Sequence, residues 1–223
     1  EIPLRLVGSE MCIRDRSWIS IKKTLKESFD VFLNQIFPTL YNAFSVLLLG
    51  VFCGPVANGL FDAGTKLVDI SQQFLKIISR TFFPFLSRKI DKHTLFSKIY
   101  MLFTLIVTLG LIFFAPFLIP VFFSEEFSES IKVLRLMAIS GVFLTMSNIY
   151  GTNYLIIIGR ERSLRNLTMY ASLLGFVIAI PLIYYGGYMG AVAIIVFVRM
   201  LLGVGSYLLA YNCKKNICKK NLL

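Results

Sequence analysis

Long apolar runs limit what this 223-residue chain can fold into. A helix that crosses a lipid bilayer needs about 20 predominantly apolar residues. Divided at glycines, prolines and charge clusters, the sequence contains six such runs, at about 29–52, 57–83, 99–123, 131–158, 167–185 and 189–211. These runs are far longer than the roughly ten-residue alternating strands of a membrane barrel. The sequence therefore predicts an all-α, polytopic membrane helix bundle of about six transmembrane helices.

The composition excludes several other classes of protein. Hydrophobic residues make up 57% of the chain and charged residues 16%, whereas soluble domains have about 45–50% and about 25%. This balance excludes a soluble globular domain, a disordered chain and a nucleic-acid-binding module, so we expect no nucleic-acid partner. The four cysteines show neither a disulfide framework nor the spacing of a metal site. We therefore expect no metal and no cofactor.

The loops between the apolar runs predict the topology. The connections alternate strictly between basic ones and ones without lysine or arginine, which is the positive-inside pattern of a chain with both ends in the cytoplasm. The basic connections carry Lys22, Lys23 and Lys26; Arg80, Arg88, Lys89, Lys92 and Lys98; Arg160, Arg162 and Arg165; and Lys214, Lys215, Lys219 and Lys220. The others are 53–58, the acidic turn 124–129, and 184–190. The net charge of +11 thus belongs to cytoplasmic loops facing an anionic leaflet.

The second apolar run carries a polar stripe. Its members follow one another at spacings of three and four residues, which places them within about 40° of one line along a helix. They are Asp62, Lys66, Asp69, Gln73, Lys76 and Arg80. One charged residue at the bilayer centre costs about 2.5–3.5 kcal/mol, so the stripe is expected to face a hydrated cavity or partners within the bundle. The alternative is a helix that lies on the membrane surface with its polar face in water.

Other polar residues lie inside the remaining runs. Asn42 shares a helix face with Asn34, Pro38 and Ser45, and this face is explained equally by a kink or by cavity lining. In the last run, Arg199 is a candidate for binding an anionic group, or for pairing with a carboxylate on a neighbouring helix.

The fourth run has a small polar stripe, Gly141, Thr145, Asn148 and Thr152. Such a stripe more often allows close packing of helices than it lines a cavity.

The sequence gives little support for an enzyme. No nucleophile, metal-binding or phosphate-binding motif is present. The single histidine, His93, lies in a basic connection and is expected to be a solvated loop residue. We therefore predict no catalytic residues.

The first sixteen residues, EIPLRLVGSEMCIRDR, differ from the rest. The run 8–16 resembles a translated sequencing adapter, so residues 1–16 are interpreted as a non-native scar and 17–223 as the protein. The alternative is a cytoplasmic leader.

The order of several motifs resembles one family. FPTLYNAFSVLLLG at 37–50, ANGLFDAGTKL at 57–67, FFPFLSRK at 82–89 and the late GG-x-x-GA at 186–191 resemble polysaccharide flippases of the Wzx type, the O-antigen and capsule repeat-unit exporters of the multidrug and polysaccharide exporter superfamily. One departure is Asp62, where the family more often has a small residue.

The resemblance implies a particular architecture and activity. The family has about twelve spans in two lobes around a central cavity, so this chain would be the C-terminal lobe, without the N-terminal lobe of the same polypeptide. The carrier would flip undecaprenyl-diphosphate-linked oligosaccharide from the cytoplasmic to the periplasmic leaflet of the bacterial inner membrane. Membrane lipids would surround it.

The resemblance also suggests roles for the polar residues. Lys66, Lys76, Arg80 and Arg199 would hold the diphosphate, while Asp62 and Asp69 would tune these cations or carry a coupling proton or sodium ion. The alternatives are a multidrug or lipid II exporter of the same superfamily and, less well supported, a membrane-embedded glycan-modifying transferase.

Overall fold

The chain folds into four long helices. The computed structural model describes residues 18–89 and 92–220. Helix α1 spans Trp18–Arg88, α2 His93–Phe123, α3 Ser130–Ser147 and α4 Glu161–Lys220. A 3-10 turn, Glu125–Phe127, precedes α3, and a π-helix, Asn148–Ile156, continues it. No strand occurs in the described residues, so the prediction of an all-α bundle is confirmed.

Some predicted features lie outside the described residues. These are the segment 1–16 and the side chains of Asn34, of the lysines at 22–26 and of the lysines at 215–220. Their predicted roles stay predictions.

Helix α4 doubles back on itself at Gly187. This residue has φ 57° and ψ −138°, outside the helical region, and glycine tolerates a positive φ better than any other residue. Leu182 and Gly190 would lie about 12 Å apart along a straight helix. Instead, a methyl group at Gly190 would collide with the carbonyl oxygen of Leu182. Helix α4 is therefore a tight hairpin of two arms, α4a (161–186) and α4b (188–220).

Helix α1 has the same organisation around Gly54, which has φ 80° and ψ 179°. A methyl group at Gly50 would lie 3.6 Å from Asn58 Nδ2, although eight residues of straight helix span about 12 Å. The arms are α1a (18–53) and α1b (55–88).

The turns that lack basic residues meet at one end of the bundle. The Phe127 ring lies 3.7 Å from where a methyl group at Gly59 would be, and the Tyr188 hydroxyl donates a hydrogen bond of 3.0 Å to Glu129 Oε2. We call this the hairpin end. The described basic residues Arg80, Arg88, Lys89 and Lys92 and the connection 160–165 lie at the other end, which we call the basic end.

A compact apolar core holds α1, α3 and α4 together. Leu49, Val68, Val133, Ile183 and Ile194 are all completely buried in one cluster. Helix α2 packs mainly against α3. The outer surface is apolar as well, and side chains such as those of Phe113 and Val177 are more than 60% exposed. This is the surface of a protein surrounded by lipid.

Within the described residues, four apolar helices are long enough to cross a membrane: Ile36–Arg88, His93–Phe123, Ser130–Ile156 and Glu161–Lys214. Because two of them double back, the described residues form six helical arms in the order that the six apolar runs predicted. The number of membrane crossings stays a prediction, as does their orientation.

Candidate functional site

A cavity of about 650 Å³ lies between the arms of the bundle. Helices α1, α3 and α4 and the π-helix all contribute to its walls. It is lined by Pro38, Thr39, Tyr41, Asn42, Asp69, Gln72, Gln73, Lys76, Ser79, Arg80, Leu144, Ser147, Asn148, Thr152, Ile156, Leu164, Thr168, Arg199 and Leu202. Its volume lies within the range of about 300–1,000 Å³ that is typical of small-molecule sites.

Arm α1b forms the charged wall. Asp69, Gln73, Lys76 and Arg80 follow the three- and four-residue spacing of one helix face, and all four line the cavity. All four side chains are exposed. The structure thus brings together four of the six residues of the predicted stripe.

The other two stripe residues, Asp62 and Lys66, are exposed but lie outside the cavity lining, nearer to the hairpin end. On the opposite face of α1b at this level, a methyl group at Gly64 would lie 2.6 Å from Val133 Cβ, so α1b packs directly against α3 there.

Arg199 reaches the cavity from α4b, although only 7% of its surface is exposed. Its Nη1 donates a 3.0 Å hydrogen bond to Ser140 Oγ, and its Nη2 lies 3.9 Å from Asp69 Oδ1. Of the two roles predicted for Arg199, this geometry favours pairing with a carboxylate on a neighbouring helix. The lining carries three cations, Lys76, Arg80 and Arg199, against one carboxylate.

Arm α1a supplies another part of the lining, which is uncharged. Asn42 lines the cavity together with Pro38 and Tyr41, whereas Ser45, on the same predicted face, turns back to hydrogen-bond the Tyr41 carbonyl at 2.8 Å. The structure therefore favours cavity lining for Asn42.

The small polar stripe of α3 is divided between packing and cavity. Gly141 and Thr145 are buried, and a methyl group at Gly141 would lie 2.5 Å from Gln72 Nε2. Asn148 and Thr152 line the cavity instead. The helix changes from α to π at Asn148, which widens the turn and rotates the following side chains relative to an α-helical register.

His93 is not a solvated loop residue, so that prediction is wrong. It begins α2 and is only 6% exposed. Its Nε2 lies 3.1 Å from the carbonyl oxygen of Ile149 and its Nδ1 3.2 Å from Ser97 Oγ. Helix α2 begins at His93, before the predicted apolar run 99–123, and the π-helix covers the imidazole ring.

Sequence reasoning missed several lining residues. Gln72 and Ser79 line the cavity but lie beside the predicted stripe of α1b, and Thr168 lines it from α4a, where no stripe was predicted. Ser79 accepts a 2.7 Å hydrogen bond from Asn153 Nδ2 of the π-helix. Packing between helices places these side chains, and the periodicity of a single helix does not predict that packing.

Comparisons with known proteins give consistent results. A model of the family described as polysaccharide biosynthesis protein matches residues 12–90. A Shigella dysenteriae protein named "Putative O-antigen transporter" is 30% identical over 185 residues, which cover 80% of this chain and 46% of that protein. An Escherichia coli K12 protein of the same name is 23% identical over 175 residues, covering 73% and 41%. No solved structure gives a significant match.

The chain spans less than half the length of either relative. The family match covers both described arms of α1, including the arm that carries the charged wall of the cavity. The match, the relatives and the apolar helices agree with the resemblance seen in the motifs. The chain is a multi-pass membrane protein that is similar, over residues 12–90, to the polysaccharide biosynthesis protein family and, over 80% of its length, to a protein named as an O-antigen transporter.

Proposed function

We propose that this chain is the C-terminal lobe of a two-lobe carrier in the bacterial inner membrane. The carrier moves undecaprenyl-diphosphate-linked oligosaccharide from the cytoplasmic to the periplasmic leaflet, and both ends of the chain are cytoplasmic. The names of the two relatives and the family match support this proposal. The basic end then faces the cytoplasm and the hairpin end the periplasm.

The observation that carries the proposal is an excess of cations in a cavity within an apolar bundle. Lys76 and Arg80 lie one helical turn apart on the same wall, about 6 Å along the axis. A diphosphate offers several acceptor oxygens, and charge-assisted hydrogen bonds from lysine and arginine are the strong ones. The lipid tail can stay in the bilayer while the diphosphate and glycan occupy the hydrated cavity.

The remaining stripe residues fit the same pathway. Lys66 and Asp62 lie nearer to the hairpin end and contact the headgroup on its way to the periplasmic side. Asp69, which is 54% exposed and next to Arg199, tunes the neighbouring cations or carries a coupling proton or sodium ion.

The exposed charged wall also implies a partner. Several charges facing lipid would each cost about 2.5–3.5 kcal/mol, so a second wall covers them in the membrane. The N-terminal lobe of the same polypeptide is that wall, and rocking of one lobe against the other gives alternating access.

Export by the complete carrier tests the proposal. Lys76→Ala and Arg80→Ala are expected to abolish surface polysaccharide and to accumulate the lipid-linked intermediate in the cytoplasmic leaflet. Lys98→Ala, an exposed lysine of α2 that does not line the cavity, is the control and retains export. Normal export by both cavity variants, at equal protein levels, would contradict the proposal.

Cysteine labelling tests the orientation. A membrane-impermeant thiol reagent added from the periplasmic side is expected to label a cysteine placed at Glu126 but not one placed at Lys89. Equal labelling of both positions would show that the assigned orientation is wrong.

A further inference from the structure

One wall of the cavity, which we call the neutral wall, carries no charge. Helix α3 and the π-helix contribute its residues Leu144, Ser147, Asn148, Thr152 and Ile156. None of these five residues is ionisable, whereas the neighbouring wall, α1b, contributes Asp69, Lys76 and Arg80. The cavity is therefore divided into a charged side and a neutral side.

Two contacts between the walls fix the depth at which their side chains meet. A methyl group at Gly141 would touch Gln72, and Asn153 donates a hydrogen bond to Ser79. Asn148 lies between these contacts on the π-helix side, just as Lys76 lies between them on the α1b side. A ligand group held by Lys76 therefore lies at the same depth as the neutral wall.

Several amide and hydroxyl groups in this part of the cavity have no protein partner. No hydrogen bond joins the side chain of Gln73, Asn148 or Thr152 to another residue in the described part of the chain. Gln72 is only 6% exposed, and its Oε1 is buried without a hydrogen-bond partner. Polar groups at membrane depth are costly unless water or a ligand satisfies them.

The hydrogen-bond donors and acceptors of this wall suit a carbohydrate ligand. A carboxamide both donates and accepts hydrogen bonds, and so does a threonine hydroxyl. Sugar hydroxyls also do both, whereas a phosphate only accepts and is better held by cations. Asn148 and Thr152 lie in the π-helix, and such helices occur frequently at functional sites.

We propose that Asn148 and Thr152, with Gln72 and Gln73 beside them, form a carbohydrate subsite for the sugar linked directly to the diphosphate. This assignment rests on the proposed function and adds a specific binding role for the π-helix. The charged wall holds the diphosphate, and the neutral wall binds the first sugar at the depth of Lys76 in the cavity.

Binding of two lipids to the complete carrier in nanodiscs tests this subsite. The probes are undecaprenyl diphosphate and the same lipid carrying one sugar. The wild-type carrier is expected to prefer the sugar-linked lipid. Asn148→Leu combined with Thr152→Val removes hydrogen bonds with little change in volume and should weaken binding of the sugar-linked lipid roughly tenfold or more. Its affinity for undecaprenyl diphosphate should not change.

Two controls separate the subsite from general damage. Met146→Leu, on the same helix but outside the cavity lining, should leave both affinities unchanged, and Lys76→Ala should weaken both lipids. The subsite is overturned if the wild type binds both lipids equally, or if the double variant weakens both or neither. If the wild type binds neither lipid, the proposed function itself fails, which is a different outcome.

Discussion

Helices α1 and α4 are both hairpins that reverse at a glycine, but the surfaces of their second arms differ. Arm α4b buries Val192, Ile194 and Val198 completely, and its one cavity cation, Arg199, is held by Ser140. Arm α1b exposes four polar or charged side chains into the cavity. Packing holds α4b in place, whereas the cavity face of α1b is left free for a ligand.

This difference indicates where stability and function lie in the lobe. Substitutions that disturb the α4 hairpin should destabilise the bundle, because helices in a membrane are held together by close van der Waals packing. Substitutions on the cavity face of α1b should leave the fold intact, because exposed side chains contribute little to stability. The following variants test that division.

Gly190→Ala should have the largest effect. The added methyl group collides with the Leu182 carbonyl, so the arms of α4 must separate, at a cost of about 3 kcal/mol, the upper end for overpacking. Unfolding of the purified protein in SDS, followed by circular dichroism, measures this loss. The control is Gly186→Ala, where the new methyl group meets no atom within 4 Å. Equal stability of the two variants would show that the hairpin is loosely packed.

Arg199→Met should destabilise the lobe by about 2 kcal/mol, the typical contribution of a hydrogen bond to a charged group. The same unfolding assay measures it, with Met200→Leu on the adjacent, more exposed position as the control. A double-mutant cycle with Asp69→Asn should give a coupling below about 1 kcal/mol, because Asp69 is 54% exposed. A larger coupling would mean that the pair, rather than the Ser140 contact, holds Arg199.

Gly54→Ala tests the α1 hairpin, and its effect should be smaller than that of Gly190→Ala. The φ of 80° costs a residue with a side chain about 1–2 kcal/mol, but the new methyl group meets no atom within 4 Å. Gly110→Ala in α2 also adds a methyl group to open space, without a positive φ, and should be neutral or slightly stabilising. If Gly54→Ala were as stable as Gly110→Ala, the reversal would not depend on glycine.

Much of the fold could be predicted from the sequence because membrane helices satisfy their own backbone hydrogen bonds. The predicted runs 29–52 and 57–83 flank Gly54, and 167–185 and 189–211 flank Gly187. The stripe spacing of α1b likewise predicted which residues share a face. These features depend on local periodicity and on glycine alone.

The rest depends on contacts between helices, which periodicity does not encode. The contact of Gly141 with Gln72 buries one end of the α3 stripe, whereas Asn148 and Thr152 at its other end line the cavity. Burial of His93 requires Ile149, which is 56 residues away in the chain. Whether Asn42 and Arg199 bind substrate stays a prediction.

Lys76→Met, on the cavity face of α1b, should have the smallest effect on stability. The side chain is exposed in the cavity and forms no hydrogen bond or ion pair with another described residue. The free energy of unfolding should change by less than about 0.5 kcal/mol, as for most surface substitutions. Leu75→Ala, one position earlier and 1% exposed, is the matched control and should cost about 2–5 kcal/mol through the cavity it creates. Comparable losses for the two variants would show that the cavity face of α1b stabilises the lobe as its buried face does, and the separation of stability from function along this helix would not hold.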